Sequence, residues 1–110
     1  MNALLSGANI GNSSLFHANL ESAEIAMAIL TNVCLEGADL QRVNLQGTNL
    51  SWSCLVGADL RGANIAGANL WDADLSNTNL DGTLITGAKL DGVKNLPISK
   101  EEAKQRGAII

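Results

Sequence analysis

Every fifth residue from Leu5 to Leu90 is leucine or isoleucine, eighteen in unbroken succession. Neither regular element accommodates that interval. An α-helix advances about 100° per residue, so a five-residue step scatters these side chains around its circumference. A straight strand alternates faces with period two and sends consecutive members of the series to opposite sides. The chain must therefore turn once in every five residues. A fixed short period of this kind marks a solenoid, in which each unit buries its apolar face only against its neighbours.

The other positions of the repeat complete the rule. With Leu/Ile as the centre, the residue two before it is alanine at eleven of the eighteen sites, and otherwise Ser13, Val33, Val43, Thr48, Ser53, Thr78 or Thr83. The residue just before the centre is usually Asn or Asp, as at Asn9, Asn19, Asp39, Asn44, Asn49, Asp59, Asn64, Asn69, Asp74 and Asn79. Small, polar, large reads as inward, outward, inward. Two residues after the centre stand nine glycines together with Asn12, Asn32, Asp72 and Asn77. These residues tolerate positive φ, and a type II turn requires it at its third residue, so a turn is predicted to start at each centre. His17, Ser22, Met27, Arg42 and Trp52 depart from the pattern. A different turn is expected there, because bulky residues resist positive φ.

The segments GADLRGANIAGANL and ANLWDADLSNTNL resemble the A(D/N)Lxx motif of the pentapeptide repeat family, and the resemblance covers residues 3–92. It implies an all-β fold, a right-handed quadrilateral parallel β-helix with four sides and about twenty residues per coil. Eighteen units make about 4.5 coils, and parallel strands stacked about 4.8 Å apart give a rod roughly 20 to 25 Å long. No centre is phenylalanine. The interior is therefore expected to be a uniform, narrow column.

Residues 1–93 read as the β-helix and 94–110 as a C-terminal capping segment. Asn95 takes the place of a centre and Pro97 ends the strand pattern. Ser99-Lys100-Glu101-Glu102 is a capping box and Arg106-Gly107 a stop signal, which together predict one short helix over about residues 100–106. Leu96, Ile98, Ala103, Ile109 and Ile110 offer apolar surface to lie across the last coil. The other end lacks a comparable segment before Leu5, so the first coil is expected to present an open strand edge. A second copy stacked head to head as a homodimer, or a preceding domain, is the expected cover. The segment MNALLSGANI has no basic region or signal-like core, and no run approaches the roughly 18 apolar residues of a membrane helix. Cytoplasm is the expected location, unless an upstream targeting or membrane segment has been lost.

One histidine, no tyrosine, no phosphate-cradling loop and no nucleophile beside a base leave the usual catalytic constellations unfilled. No enzyme activity and no cofactor are expected. The family's best-known activity is mimicry of DNA by proteins that bind DNA gyrase, and charge bears on it. The repeats carry nine acids against Arg42, Arg61 and Lys89, an excess of six negative charges. A duplex of about 22 Å presents about thirteen. That imitation is thin, and the same acidity disfavours direct nucleic-acid binding.

A coil of twenty residues makes Cys34 and Cys54 outward neighbours within disulfide range. Parallel neighbours rarely have suitable dihedral geometry, so free thiols are expected. With His17 a coil away, a zinc site lacks ligands. The same projection gathers Trp52 and Trp71 at one corner beside Cys34, Cys54 and Val56, with Phe16 further along that side. This is the candidate protein-contact patch, since exposed aromatic clusters mark contacts and Trp is enriched in binding hot spots. Rows such as Asn19-Asp39-Asp59-Asn79 are expected to bond along the stack, with Arg42 and Arg61 softening the repulsion of Asp39 and Asp59. The functional reading is a non-enzymatic scaffold that presents flat faces to protein partners. The alternative is a gyrase-binding DNA mimic. Compact leucine-type members of this kind resemble those abundant in cyanobacteria.

Overall fold

The computed structural model describes residues 4–110; the alanine expected inward at position 3 lies outside them. All the parallel bridges, from Leu4–Glu24 to Lys89–Ile109, join residues twenty apart. The chain therefore returns to the same place after four five-residue sides. The first side has its centres at Leu5, Ile25, Leu45, Ile65 and Ile85; the second at Ile10, Leu30, Leu50, Leu70 and Leu90; the third at Leu15, Leu35, Leu55 and Leu75; the fourth at Leu20, Leu40, Leu60 and Leu80. Every centre from Ile25 to Leu90 is buried, and Leu5, Ile10, Leu15 and Leu20 of the first coil are only partly so. Together with the small residues two before them they form one continuous column.

Following the five backbone N–H groups of one repeat explains why the sequence takes its form. In residues 48–52, Thr48 N–H closes the preceding turn on Leu45 O at 3.2 Å. Asn49, Leu50 and Trp52 donate to neighbouring coils, at Ala28 O (3.1 Å), Asn69 O (2.7 Å) and Trp71 O (2.9 Å). Only the Ser51 N–H is left unserved by turn or stack. It donates to the Asn49 side-chain Oδ1 at 3.1 Å. All ten Asn and Asp residues that precede a centre accept in this way from the N–H two residues ahead. The rows were expected to bond along the stack. They instead form Asx turns within their own side, because an unpaired backbone donor costs more than an unpaired exposed amide. Along the stack Asn44 bonds Glu24 in the row before the centres, and Asn32 bonds Asn12 at a corner.

The turns depart from expectation as well. All eighteen residues two after a centre have φ between 55° and 74°, including His17, Ser22, Met27, Arg42 and Trp52. Their turns close with the same bond as the rest, for example Ala28 N–H to Ile25 O at 3.2 Å. The stack overrides local preference, since each of these residues also donates its N–H to the next coil. The sequence makes room for several of the large ones one coil further on. His17, Met27 and Arg42 lie against Gly37, Gly47 and Gly62, and a Cβ on Gly37 would sit 2.6 Å from His17 Nε2.

The tail begins where Asn95, exposed and at φ 59°, fails to supply a centre. Leu96 and Ile98 pack against the end of the column. The α1 helix spans Lys100–Gln105, with the Ser99 side chain accepting from Glu102 N–H at 3.0 Å. The predicted capping box is half formed, because the Glu102 carboxylate pairs with Arg106 (3.1 Å) one turn on. Gly107 at φ 90° ends the helix in a Schellman motif: Ala108 N–H bonds Ala103 O and Gly107 N–H bonds Lys104 O, both at 3.0 Å. Arg106 Nη2 donates to Leu80 O (2.9 Å) and Thr83 O (2.8 Å), at the last corner between the fourth and first sides. In earlier coils the carbonyl equivalent to Thr83 O accepts a backbone N–H from the following coil, as Ala63 O does from Leu84. A guanidinium here replaces the coil that is missing.

Ile109 and Ile110 were expected simply to lie across the end. They rejoin the ladder, with Leu90 N–H to Ile109 O and Ile109 N–H to Ala88 O both at 2.8 Å. Ala108 is buried and Ile110 stands twenty residues after Leu90, in the second side's own register. With the tail in place the molecule measures 34 × 22 × 21 Å. Among the described residues, no helix is long and apolar enough to cross a membrane.

Candidate functional site

Strand alternation on the third side turns two columns of side chains outward: Ser14, Cys34, Cys54 and Asp74 before the centres, and Phe16, Glu36, Val56 and Ser76 after them. The corner between the second and third sides holds Asn12, Asn32, Trp52, Asp72 and Gly92, and Trp71 follows the Leu70 centre on the second side. The structure joins Trp52 to Trp71 twice. Their backbones bond directly, and their rings meet edge to face with centroids 5.2 Å apart and planes at 89°. An aromatic pair of this geometry contributes about 0.5–1.5 kcal/mol beyond its area. Trp52 remains 52% exposed and Trp71 46%. Half of each indole is thus held rigidly and left in water.

The remaining residues of the predicted patch divide. Cys34 and Cys54 face each other across a parallel bridge, both half-buried and both free thiols. Glu36 joins them: its carboxylate and the two sulfurs lie within 4.8 Å of one another. Strand alternation puts a residue two beyond Cys34 on the same face, so the spacing Cys34-Leu35-Glu36 is the sequence signal for this third donor. Burial pushes the Cys54 thiol up, against a Val56 backbone hydrogen bond that lowers it, with the charges of Cys34, Glu36 and Asp74 adding to the rise. Phe16 is exposed and packs on His17, ring centroids 4.1 Å apart, in the first coil. A second set of exposed apolar residues, Met27 and Ile29 among them, lies on the far side of the second face.

Electrostatics on the fourth side differ from the expected arrangement. Arg61 grips Asp59 with Nε to Oδ1 at 2.9 Å and Nη2 to Oδ2 at 2.6 Å. That hydrogen-bonded pairing holds the Asp59 carboxyl below its ordinary range. Arg42, however, pairs with Glu21 rather than with Asp39. Its side chain leaves the corner toward the preceding coil's acid, while Asp39 is occupied by Gln41. Grooves flank the tail, one between Leu90, Val93, Leu96, Ile98 and Ile110, the other bordered by Leu80 and Arg106.

The profile of the family described as pentapeptide repeats matches residues 1–37, 30–62 and 58–94, in eight copies. The chain belongs to the pentapeptide repeat family. Solved structures agree with that assignment. A pentapeptide repeat protein of the Arabidopsis thaliana thylakoid lumen is 29% identical at a TM-score of 0.65, covering 89% of this chain and 70% of its own. Rfr23 from the cyanobacterium Cyanothece 51142 is 30% identical at a TM-score of 0.70, over 84% of this chain and 80% of its own. A third pentapeptide repeat protein, from Nostoc PCC 7120, is 26% identical at 0.51, over 97% and 84%. No curated protein matches the chain. Membership in the pentapeptide repeat family brings with it the right-handed quadrilateral β-helix implied by the sequence motif.

Proposed function

We propose that this pentapeptide repeat protein is a non-enzymatic scaffold that docks a protein partner at the Trp52–Trp71 corner. The observation that supports it is the edge-to-face indole pair, half exposed and fixed to a hydrogen-bonded backbone. Tryptophan in such a position is a typical hot-spot residue, and a rigid mount spares the ordering cost of binding. The column behind it is filled mainly with leucine, isoleucine, valine and alanine, which are chemically inert. Duplex mimicry of the gyrase-binding kind asks for a denser acidic face than one on which Arg42 and Arg61 each pair with an acid.

Wild type and a Trp52→Ala/Trp71→Ala variant, immobilised and exposed to an extract of the source organism, separate the readings. Loss of a hot-spot Trp costs about 2 kcal/mol or more, roughly thirtyfold in Kd. A bound protein recovered by wild type and lost by the variant, with unchanged circular dichroism, is the expected outcome. Identical bound sets refute the corner as a docking site. A supercoiling assay with purified gyrase is expected to show no inhibition.

A further inference from the structure

The third side carries more donor chemistry than a wall requires. Cys34 and Cys54 occupy positions where the repeat ordinarily places Asn or Asp, and they stack as direct neighbours. Their backbones are fixed by Leu35 N–H to Cys54 O at 2.8 Å and Cys54 N–H to Val33 O at 2.9 Å. The Glu36 carboxylate completes a set of three ligand atoms within 4.8 Å of one another. The sulfurs are half-buried and Glu36 is exposed, so an ion held among them would keep one open face to water. Asp74, the bridge partner of Cys54 in the next coil, sets a second acidic side chain beside the pair, and negative charge there favours a cation.

We infer that Cys34, Cys54 and Glu36 form a site for a thiophilic divalent cation, zinc in particular, with water as the fourth ligand. Two thiolates and one carboxylate are donors that zinc takes in tetrahedral sites, at about 2.3 Å to sulfur and about 2.0–2.2 Å to oxygen. Donors at those lengths stand roughly 3.5 to 3.8 Å apart, so modest side-chain rotation on a fixed backbone closes the site around the ion. Soft sulfur ligands exclude calcium and magnesium. The third coil supplies Cys54 and the second Cys34 and Glu36, so bound zinc staples adjacent coils. The inference is independent of the tryptophan corner, because its test needs no partner.

The test uses the full chain, reduced and metal-free, titrated with cobalt(II) and then with zinc(II) against a chelator of known affinity. One equivalent of cobalt is expected to give a thiolate-to-metal charge-transfer band, and zinc is expected to abolish it by displacement. Cys34→Ser and Cys54→Ser are expected to weaken zinc binding by at least tenfold, since even outer-shell changes cost about 10–100-fold. Glu36→Gln is expected to keep the band and weaken binding by about tenfold. These side chains face outward, and circular dichroism checks that each variant retains the wild-type fold. A missing charge-transfer band overturns the site, as does equal zinc affinity in wild type and the double cysteine variant. Unchanged affinity in Glu36→Gln overturns the three-ligand assignment.

Discussion

Replacing Arg106 with alanine tests whether one side chain closes the end of the rod. Its guanidinium supplies two charged hydrogen bonds to Leu80 O and Thr83 O and pairs with Glu102. A hydrogen bond to a charged group contributes about 1.5–3 kcal/mol net. The side chain is 26% exposed, so water replaces part of what is lost. We expect about 2–3 kcal/mol for the whole change, against the larger simple sum. In a solenoid the loss falls on the terminal units before the middle. Native-state hydrogen exchange is the appropriate assay. The Gly87, Leu90 and Ile109 amides, which bond Gly107, Ile109 and Ala88 across the tail junction, should exchange roughly 30- to 150-fold faster if the tail lifts. The Leu50 amide in the middle should hold its protection. Less than about a threefold change at the junction amides would refute the account of Arg106 as the replacement for a missing coil.

Two further perturbations probe the column and the fourth side. Among the described residues, Ser53 Oγ is the one buried side-chain oxygen or nitrogen without a partner, whereas Thr48, Thr78 and Thr83 each bond a backbone carbonyl. Ser53→Ala should raise stability in urea by about 1 kcal/mol, and a loss of that size would show that the hydroxyl is satisfied. Asp59 has its folded pKa depressed, chiefly by the Arg61 hydrogen bond. Its contribution is therefore complete above the ordinary carboxylate value near about 4 and disappears as pH falls through the lower folded value. Wild type should exceed Arg61→Gln in urea resistance at neutral pH and converge with it in the acid window, and a gap that stays constant down to that window contradicts the pairing.

The long-range order of this protein was legible because it is written in residue size. Leucine at each centre and alanine two before it leave one packing solution, and the twenty-residue bridges follow from it. Local geometry was less legible wherever the stack decides it. Met27 and Trp52 adopt the turn of glycine because their N–H groups must reach the next coil, a demand absent from the pentapeptide itself. The Asn and Asp preference was visible and its cause was not, since only a full count of donors reveals which N–H lacks a partner. Ala108-Ile109-Ile110 repeats the motif at the correct distance from Leu90, yet the intervening helix hides the register. At the candidate patch, the twenty-residue register brings Trp52 beside Trp71 and Cys34 beside Cys54, as found, while Glu36 was overlooked. Arg106 was read as a stop signal, because nothing local tells that its side chain reaches back to Leu80.

The twenty-residue register also constrains how such a molecule can change length. Excising one full circuit, for example residues 41–60, would set residues 61–80 on 21–40, each on its own side and at its own place in the repeat, with the tail still seated on Leu80 and Thr83 and with Trp52 and Cys54 lost. Losing a single pentapeptide would rotate everything downstream by a quarter turn, pulling Cys54 away from Cys34 if the cut fell between them. Growth and shortening by whole circuits thus keep every residue on its own side, while smaller steps move downstream residues to another side without disturbing the interior.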